Sequence, residues 1–172
     1  MGILICGLNG VGKSSIGKAL AERLSYRFID DEDLYFSETD KKNMYSNPRS
    51  REQAVKILNE IISEDDKFVF AAVKGNYGEI LLSRIKYLIL VEVPKEVRME
   101  RVRTRSYQQF GDKISESEDL AEKENAWLLQ VSNKPDNYVT EWINEVKCPV
   151  IRIDGTLPIE DNVDLLISIL KK

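Results

Sequence analysis

Nine residues near the start of the chain, Gly7-Leu8-Asn9-Gly10-Val11-Gly12-Lys13-Ser14-Ser15, combine three glycines with a lysine and two hydroxyls. Gly7, Gly12, Lys13 and Ser14 stand at the spacing G-x-x-x-x-G-K-[ST]. Each residue type has a use around an anion. Glycines let the backbone curl until successive N–H groups point at one centre. A helix starting near Lys13 adds its positive N-terminal end. The Lys13 ammonium suits the outer phosphates of a nucleoside triphosphate, and the Ser14 hydroxyl suits Mg²⁺. The stretch therefore reads as a nest for a triphosphate, with Asn9, Gly10, Val11, Gly12, Lys13, Ser14 and Ser15 around it. Ordinary residue frequencies produce this spacing in roughly one chain in two hundred. A dinucleotide fingerprint does not fit, because Gly7, Gly10 and Gly12 do not fall in the order G-x-G-x-x-G.

A second group of chemical interest is the run Asp30-Asp31-Glu32-Asp33. It follows a short strand-like stretch, and the carboxyl edge of an open α/β sheet faces the ligand crevice. If the extended geometry continues, Asp30 and Glu32 share one face. One carboxylate of the two can hold magnesium; the other can contact an acceptor hydroxyl or take its proton. No comparable acid ends the stretch 68–73, which runs into Lys74 and Gly75 instead. That pattern favours a small kinase over an ATP-driven motor. The chain has no histidine, which removes a histidine base, a Ser-His-Asp triad and the common zinc sites.

Positioning these groups takes a scaffold, and the hydrophobic pattern supplies one. Strands are expected at 2–6, 26–30, 68–73, 86–93 and 149–154. Helices are expected at 13–24, 51–64, 78–84, 95–106 and 159–170, with two more divided near Pro135. The stretch 37–50 reads as irregular, and 108–119 as a mobile connection. Strands alternating with helices predict a three-layer α/β fold: a five-stranded parallel sheet with helices on both faces. At 172 residues, with 42% hydrophobic and 31% charged positions, one domain over 1–172 is expected. A net charge of −4 argues against a nucleic-acid partner. No apolar run reaches the roughly 18 residues of a membrane span. The two cysteines, Cys6 and Cys148, have no metal-ligand spacing, and a reducing cytoplasmic setting is expected.

The segment GLNGVGKSSIGKALAERLSYRFIDDED (7–33) resembles the N-terminal region of small-molecule kinases of the nucleoside-monophosphate-kinase fold, above all the shikimate and gluconate kinase branch. The resemblance implies ATP and Mg²⁺ as cofactors, a small-molecule acceptor and a helical lid at about 103–120. It also implies a substrate-binding segment at about 31–66. It makes Lys13 and Asp30 catalytic, with Ser14 and Asp30 at the metal and Glu32 at the acceptor. The segment PRSRE (48–52) resembles the family's substrate clamp and places Arg49 on an anionic group, with Lys74 and Gly75 beside it. The helix from 95 carries Arg98, Arg101 and Arg105 at one-turn spacing, resembling lid arginines that pack on adenine or clamp the moving phosphoryl group. In that likeness Arg101 goes with the nucleotide and Arg105 with catalysis. The stretch 153–163 resembles the loop that holds the adenine edge. Three departures stand out: the glycine triplet after the third strand is reduced to Gly75, the post-lid arginine is replaced by Asn133, and the second acid is Glu32. The expected activity is therefore phosphorylation of a hydroxyl on a small anionic metabolite. A nucleoside or nucleotide kinase, a polynucleotide kinase and an ATP-binding regulator without transfer are the alternatives.

Overall fold

The computed structural model describes residues 1–171. Five parallel strands form one sheet: β1 (Gly2–Cys6), β2 (Arg27–Asp30), β3 (Phe68–Ala72), β4 (Ile85–Glu92) and β5 (Val150–Asp154). Their order across the sheet is β2-β3-β1-β4-β5. β1 and β3 pair in register from Gly2 with Phe68 to Cys6 with Ala72. Every residue of these two strands is buried. A parallel strand covered on both faces must be apolar throughout, which is why both read as unbroken hydrophobic runs. The expected five-stranded α/β fold is the observed one.

The helices are α1 (Lys13–Leu24), α2 (Asp31–Tyr35), α3 (Glu38–Lys42), α4 (Arg51–Glu64), α5 (Glu79–Arg84), α6 (Lys95–Glu116), α7 (Glu118–Ser132), α8 (Tyr138–Ile143) and α9 (Ile159–Leu170). α1, α4 and α9 fall where the apolar spacing places them. α4 starts at a reciprocal cap: Ser50 Oγ accepts from the Gln53 N–H, and the Gln53 side chain accepts from the Ser50 N–H.

Three local expectations are corrected. The stretch 108–119 is not a mobile connection, because α6 runs on to Glu116. Val102, Ser106 and Phe110 continue one buried stripe at four-residue spacing, and Gly111 does not break it. Only Ser117 interrupts the helix, and its Oγ caps α7 through the Leu120 N–H. The region expected to form a lid is therefore a hairpin of two helices. The stretch 37–50 is not wholly irregular, since Ser37 and Asp40 form a capping box that starts α3. Finally, extended geometry does not continue to Glu32: β2 ends at Asp30, where the strand was expected to end, and the chain turns at once into α2.

This topology gathers four strand ends at one edge. β1 leads into the glycine loop, β2 into the acids, β3 into Lys74 and β4 into α6. The sequence neighbours β1 and β2 are separated in space by β3, so a crevice opens at that edge.

Candidate active site

The loop after β1 is held open by backbone geometry. Gly10 and Gly12 have φ of 85° and 97°, in the region that disfavours side chains. A Cβ on Gly10 would collide with the Arg98 carbonyl of α6 and stand 2.8 Å from Val102 Cγ2. Gly12 is the N-cap of α1 and has no side chain to offer the first-turn N–H groups, and no acid lies in that turn. Those amides are left for an outside anion. Ser14 and Ser15 are exposed at the same helix end, while Val11 is buried beneath the loop. Asn9 turns its amide oxygen to Lys134, which donates at 3.0 Å.

The Lys13 ammonium folds back over this loop and donates to the Leu8 carbonyl at 3.1 Å. Burial lowers its pKa, opposed first by Asp31 and then by Asp30. Asp31 is the acid most strongly tied to it. Burial pushes the Asp31 carboxyl up to about 6, with Lys13 opposing and Asp30 and Glu32 adding to the rise. The sequence reading passed over Asp31 because it assumed that extended geometry continues past Asp30. Instead, Asp30 Oδ1 accepts from the Glu32 N–H at 3.2 Å and caps α2. Asp30 and Glu32 therefore do not alternate along a strand. Glu32 Oε1 accepts from the Tyr45 hydroxyl at 2.9 Å, and Asp33 pairs with Lys41. The missed signal was a helix start: an aspartate followed by three acids and an apolar pair.

Arg49 lies at the end of α2, where its Nη1 donates to the Asp33 and Leu34 carbonyls, both at 3.1 Å. Gly75 is wedged after β3: a Cβ there would collide with Leu4 and meet Trp142 Cη2 at 2.8 Å. That fixes the backbone beside Lys74, whose ammonium sits 3.5 Å from the centre of the Tyr138 ring. Two tyrosines not singled out from sequence lie near Asp31. Tyr77 is buried, and burial, Asp31 and Tyr35 all push its hydroxyl pKa up.

The three arginines of α6 separate into different roles. Arg98 is buried at 1% exposure, and its backbone presses on Gly10, so it supports the loop from behind. It does not share the open face expected of it. Arg101 Nη1 donates to the Gly155 carbonyl at 3.0 Å and ties α6 to the loop after β5. That loop packs on the nest, because a Cβ on Gly155 would stand 2.6 Å from the Val11 carbonyl. Arg105 is exposed and acts electrostatically on both Lys13 and Tyr45.

A glycine nest set at this sheet edge, with α6 packed against it, defines the class: a P-loop α/β fold of the shikimate and gluconate kinase type. The chain belongs to the AAA domain family AAA_18, which matches residues 3–125. It is 25% identical over 177 residues to the uncharacterized protein YqaC of Bacillus subtilis (strain 168), covering 98% of this chain and 96% of that protein. It is 27% identical over 173 residues to a probable gluconokinase of Dictyostelium discoideum, covering 84% of this chain and 86% of that protein. Among solved structures, shikimate kinase from Aquifex aeolicus superposes with a TM-score of 0.56 at 19% identity, over 99% of this chain and 96% of the other.

Proposed function

We propose that this chain is a Mg-ATP-dependent phosphotransferase that acts on a hydroxyl of a small anionic metabolite. The observation that carries the reading is the Lys13–Asp31 pair beside an uncapped helix N-terminus. A pure binder of nucleotide needs the lysine and the amides; it has no use for a carboxylate set beside that lysine with its pKa raised to about 6.

The residues fit the groups such a reaction needs. The free amides of the α1 first turn and the Lys13 ammonium are the donors for a triphosphate. Ser14 and Asp30 are the residues that would hold a magnesium ion, which supplies neutralisation of phosphate charge. Asp31 is the proton acceptor in this reading, because a carboxylate near 6 is a better base than an ordinary one. The acceptor hydroxyl oxygen bonds to the γ-phosphorus, the bond to the bridging oxygen breaks, and the hydroxyl proton passes to Asp31. Arg101 holds the nucleotide side, Arg105 faces the developing charge, and Glu32 and Lys74 bound the acceptor. The hairpin of α6 and α7 serves as the lid, and the segment 31–66 as the acceptor wall.

The test is direct. Purified protein is titrated with Mg-ATP and Mg-GTP, then given labelled ATP with a panel of sugar acids, sugar phosphates and nucleosides. Transfer to one class of acceptor supports the reading. Tight nucleotide binding with no transfer to any acceptor supports a regulatory protein instead.

A further inference from the structure

Two lysines from distant parts of the chain meet on one aromatic ring. Lys74 follows β3, and Lys134 lies between α7 and α8. Their ammoniums stand 3.5 and 6.0 Å from the centre of the Tyr138 ring. Among the described residues, neither lies within 4 Å of a carboxylate. Lys134 also donates to Asn9 Oδ1 of the glycine loop, so this ring adjoins the nest.

The local packing holds this arrangement in place. Gly75 is clamped between Leu4 and Trp142, and Trp142 lies one turn along α8 from Tyr138. The same short helix thus fixes the backbone next to Lys74 and supplies the ring beneath its ammonium. Burial and the nearby Arg98 both disfavour the charge on Lys134, while Asp31 favours it. A cation–π contact offsets only part of such a cost. An anion within reach of both ammoniums would offset the rest.

We infer that Lys74 and Lys134, both set beside the Tyr138 ring with Asn9 alongside, bind a phosphate group already carried by the acceptor. The acceptor is then a hydroxyl compound that is also a phosphomonoester. This inference rests on the kinase reading and narrows it. Two separate point charges suit a tetrahedral dianion, whereas a planar carboxylate is matched by an arginine fork. The triphosphate of the donor has its own donors at Lys13 and the α1 N-terminus, so the lysine pair is surplus to it.

The experiment first saturates the protein with magnesium and a non-hydrolysable ATP analogue, which fills the nest. Inorganic phosphate, or malonate as the carboxylate probe, is then titrated by calorimetry. Phosphate is expected to bind the loaded protein at least ten-fold more tightly than malonate. Lys74→Met and Lys134→Met, which keep the aliphatic stems, are each expected to weaken it at least ten-fold. Lys134→Arg is expected to stay within about three-fold, and circular dichroism confirms folding. In turnover, a phosphorylated sugar should exceed its unphosphorylated parent at least ten-fold in kcat/KM, a preference lost in the Met variants. Equal binding of malonate, no phosphate site on the loaded protein, or phosphate affinity indifferent to both Met variants would overturn the inference while leaving the kinase reading intact. Failure of the analogue to bind at all would remove the kinase reading itself.

Discussion

Lys13 and Asp31 are the principal charge pair of the site: each is the strongest charged influence on the other. They are not ion-paired within 4 Å, because Lys13 bonds the Leu8 carbonyl instead. In the proposed reaction, this lysine and this acid would both change partners when phosphate binds. Lys13→Ala should abolish phosphoryl transfer, with nucleotide affinity falling at least ten-fold. Single-turnover transfer and a nucleotide titration check the two effects separately.

The pH dependence follows from Asp31. If it accepts the proton, acceptor kcat/KM should rise ten-fold per pH unit below about 6 and level off above it. Asp31→Asn should remove that limb and lower turnover at least a hundred-fold. An unchanged acid limb in the Asn variant would place the base elsewhere. Stability should run the other way. The folded pKa of about 6 lies above the ordinary 3.8, so the native state binds the proton more tightly between those values. Stability therefore falls as pH rises through that window. At pH 7, Asp31→Asn should be more stable by roughly 1–3 kcal/mol, read as a higher Tm.

Gly10→Ala tests whether the loop shape is set by α6. A Cβ there meets the Arg98 carbonyl, and the φ of 85° strains any side chain. The variant should lose roughly 1–3 kcal/mol in chemical denaturation and bind nucleotide at least ten-fold more weakly. Lys18→Ala, at an exposed position farther along α1, is the control for a mild change in the same helix.

The sheet, α1, α4 and α9 were legible because burial on both faces or one face leaves a periodic imprint in sequence. The nest was legible because glycine, lysine and serine at that spacing have few other uses. Asp31 was hidden by a local event. Whether a strand continues past Asp30 or stops there is decided by Asp30 capping α2, and that shifts which acid faces Lys13. Lys134 was hidden for a different reason: its neighbours, Asn9 and Tyr138, are brought to it by the turn between α7 and α8. Arg98 and Arg101 look alike in sequence, but one is buried with its backbone against Gly10 and the other is exposed and reaches the Gly155 carbonyl.

That last contrast gives a kinetic prediction. Arg101 joins α6 to the loop after β5, whereas Arg105 acts on Lys13. Arg101→Ala should raise the KM for ATP about ten-fold with kcat little changed, the mark of lost ground-state binding. Arg105→Ala should lower kcat by at least ten-fold with little change in that KM. Steady-state kinetics with varied ATP separate the two, and identical profiles would refute the division of roles.

Phe110 tests the lid. It is buried at 5% exposure, far along α6, and meets Tyr45 edge-on at 5.8 Å between ring centres. Tyr45 in turn stacks edge-on against Phe36 at 5.0 Å and donates to Glu32. Lys113, one turn beyond Phe110, donates to the Lys42 carbonyl at 2.5 Å. These contacts dock the outer half of α6 on the segment around Phe36 and Tyr45, and Tyr45 accepts a strained φ of 56° to make them. In the proposed reaction, a lid held this way would exclude water from the transferring phosphoryl group. Phe110→Ala should lose about 3 kcal/mol of stability from the vacated packing. Its distinctive effect should be on partition: ATP hydrolysis without acceptor should rise several-fold while transfer falls. Phe110→Leu, which refills most of the volume, should restore transfer. If hydrolysis stays at the wild-type level in the Ala variant, Phe110 serves packing alone and the lid closes by other contacts.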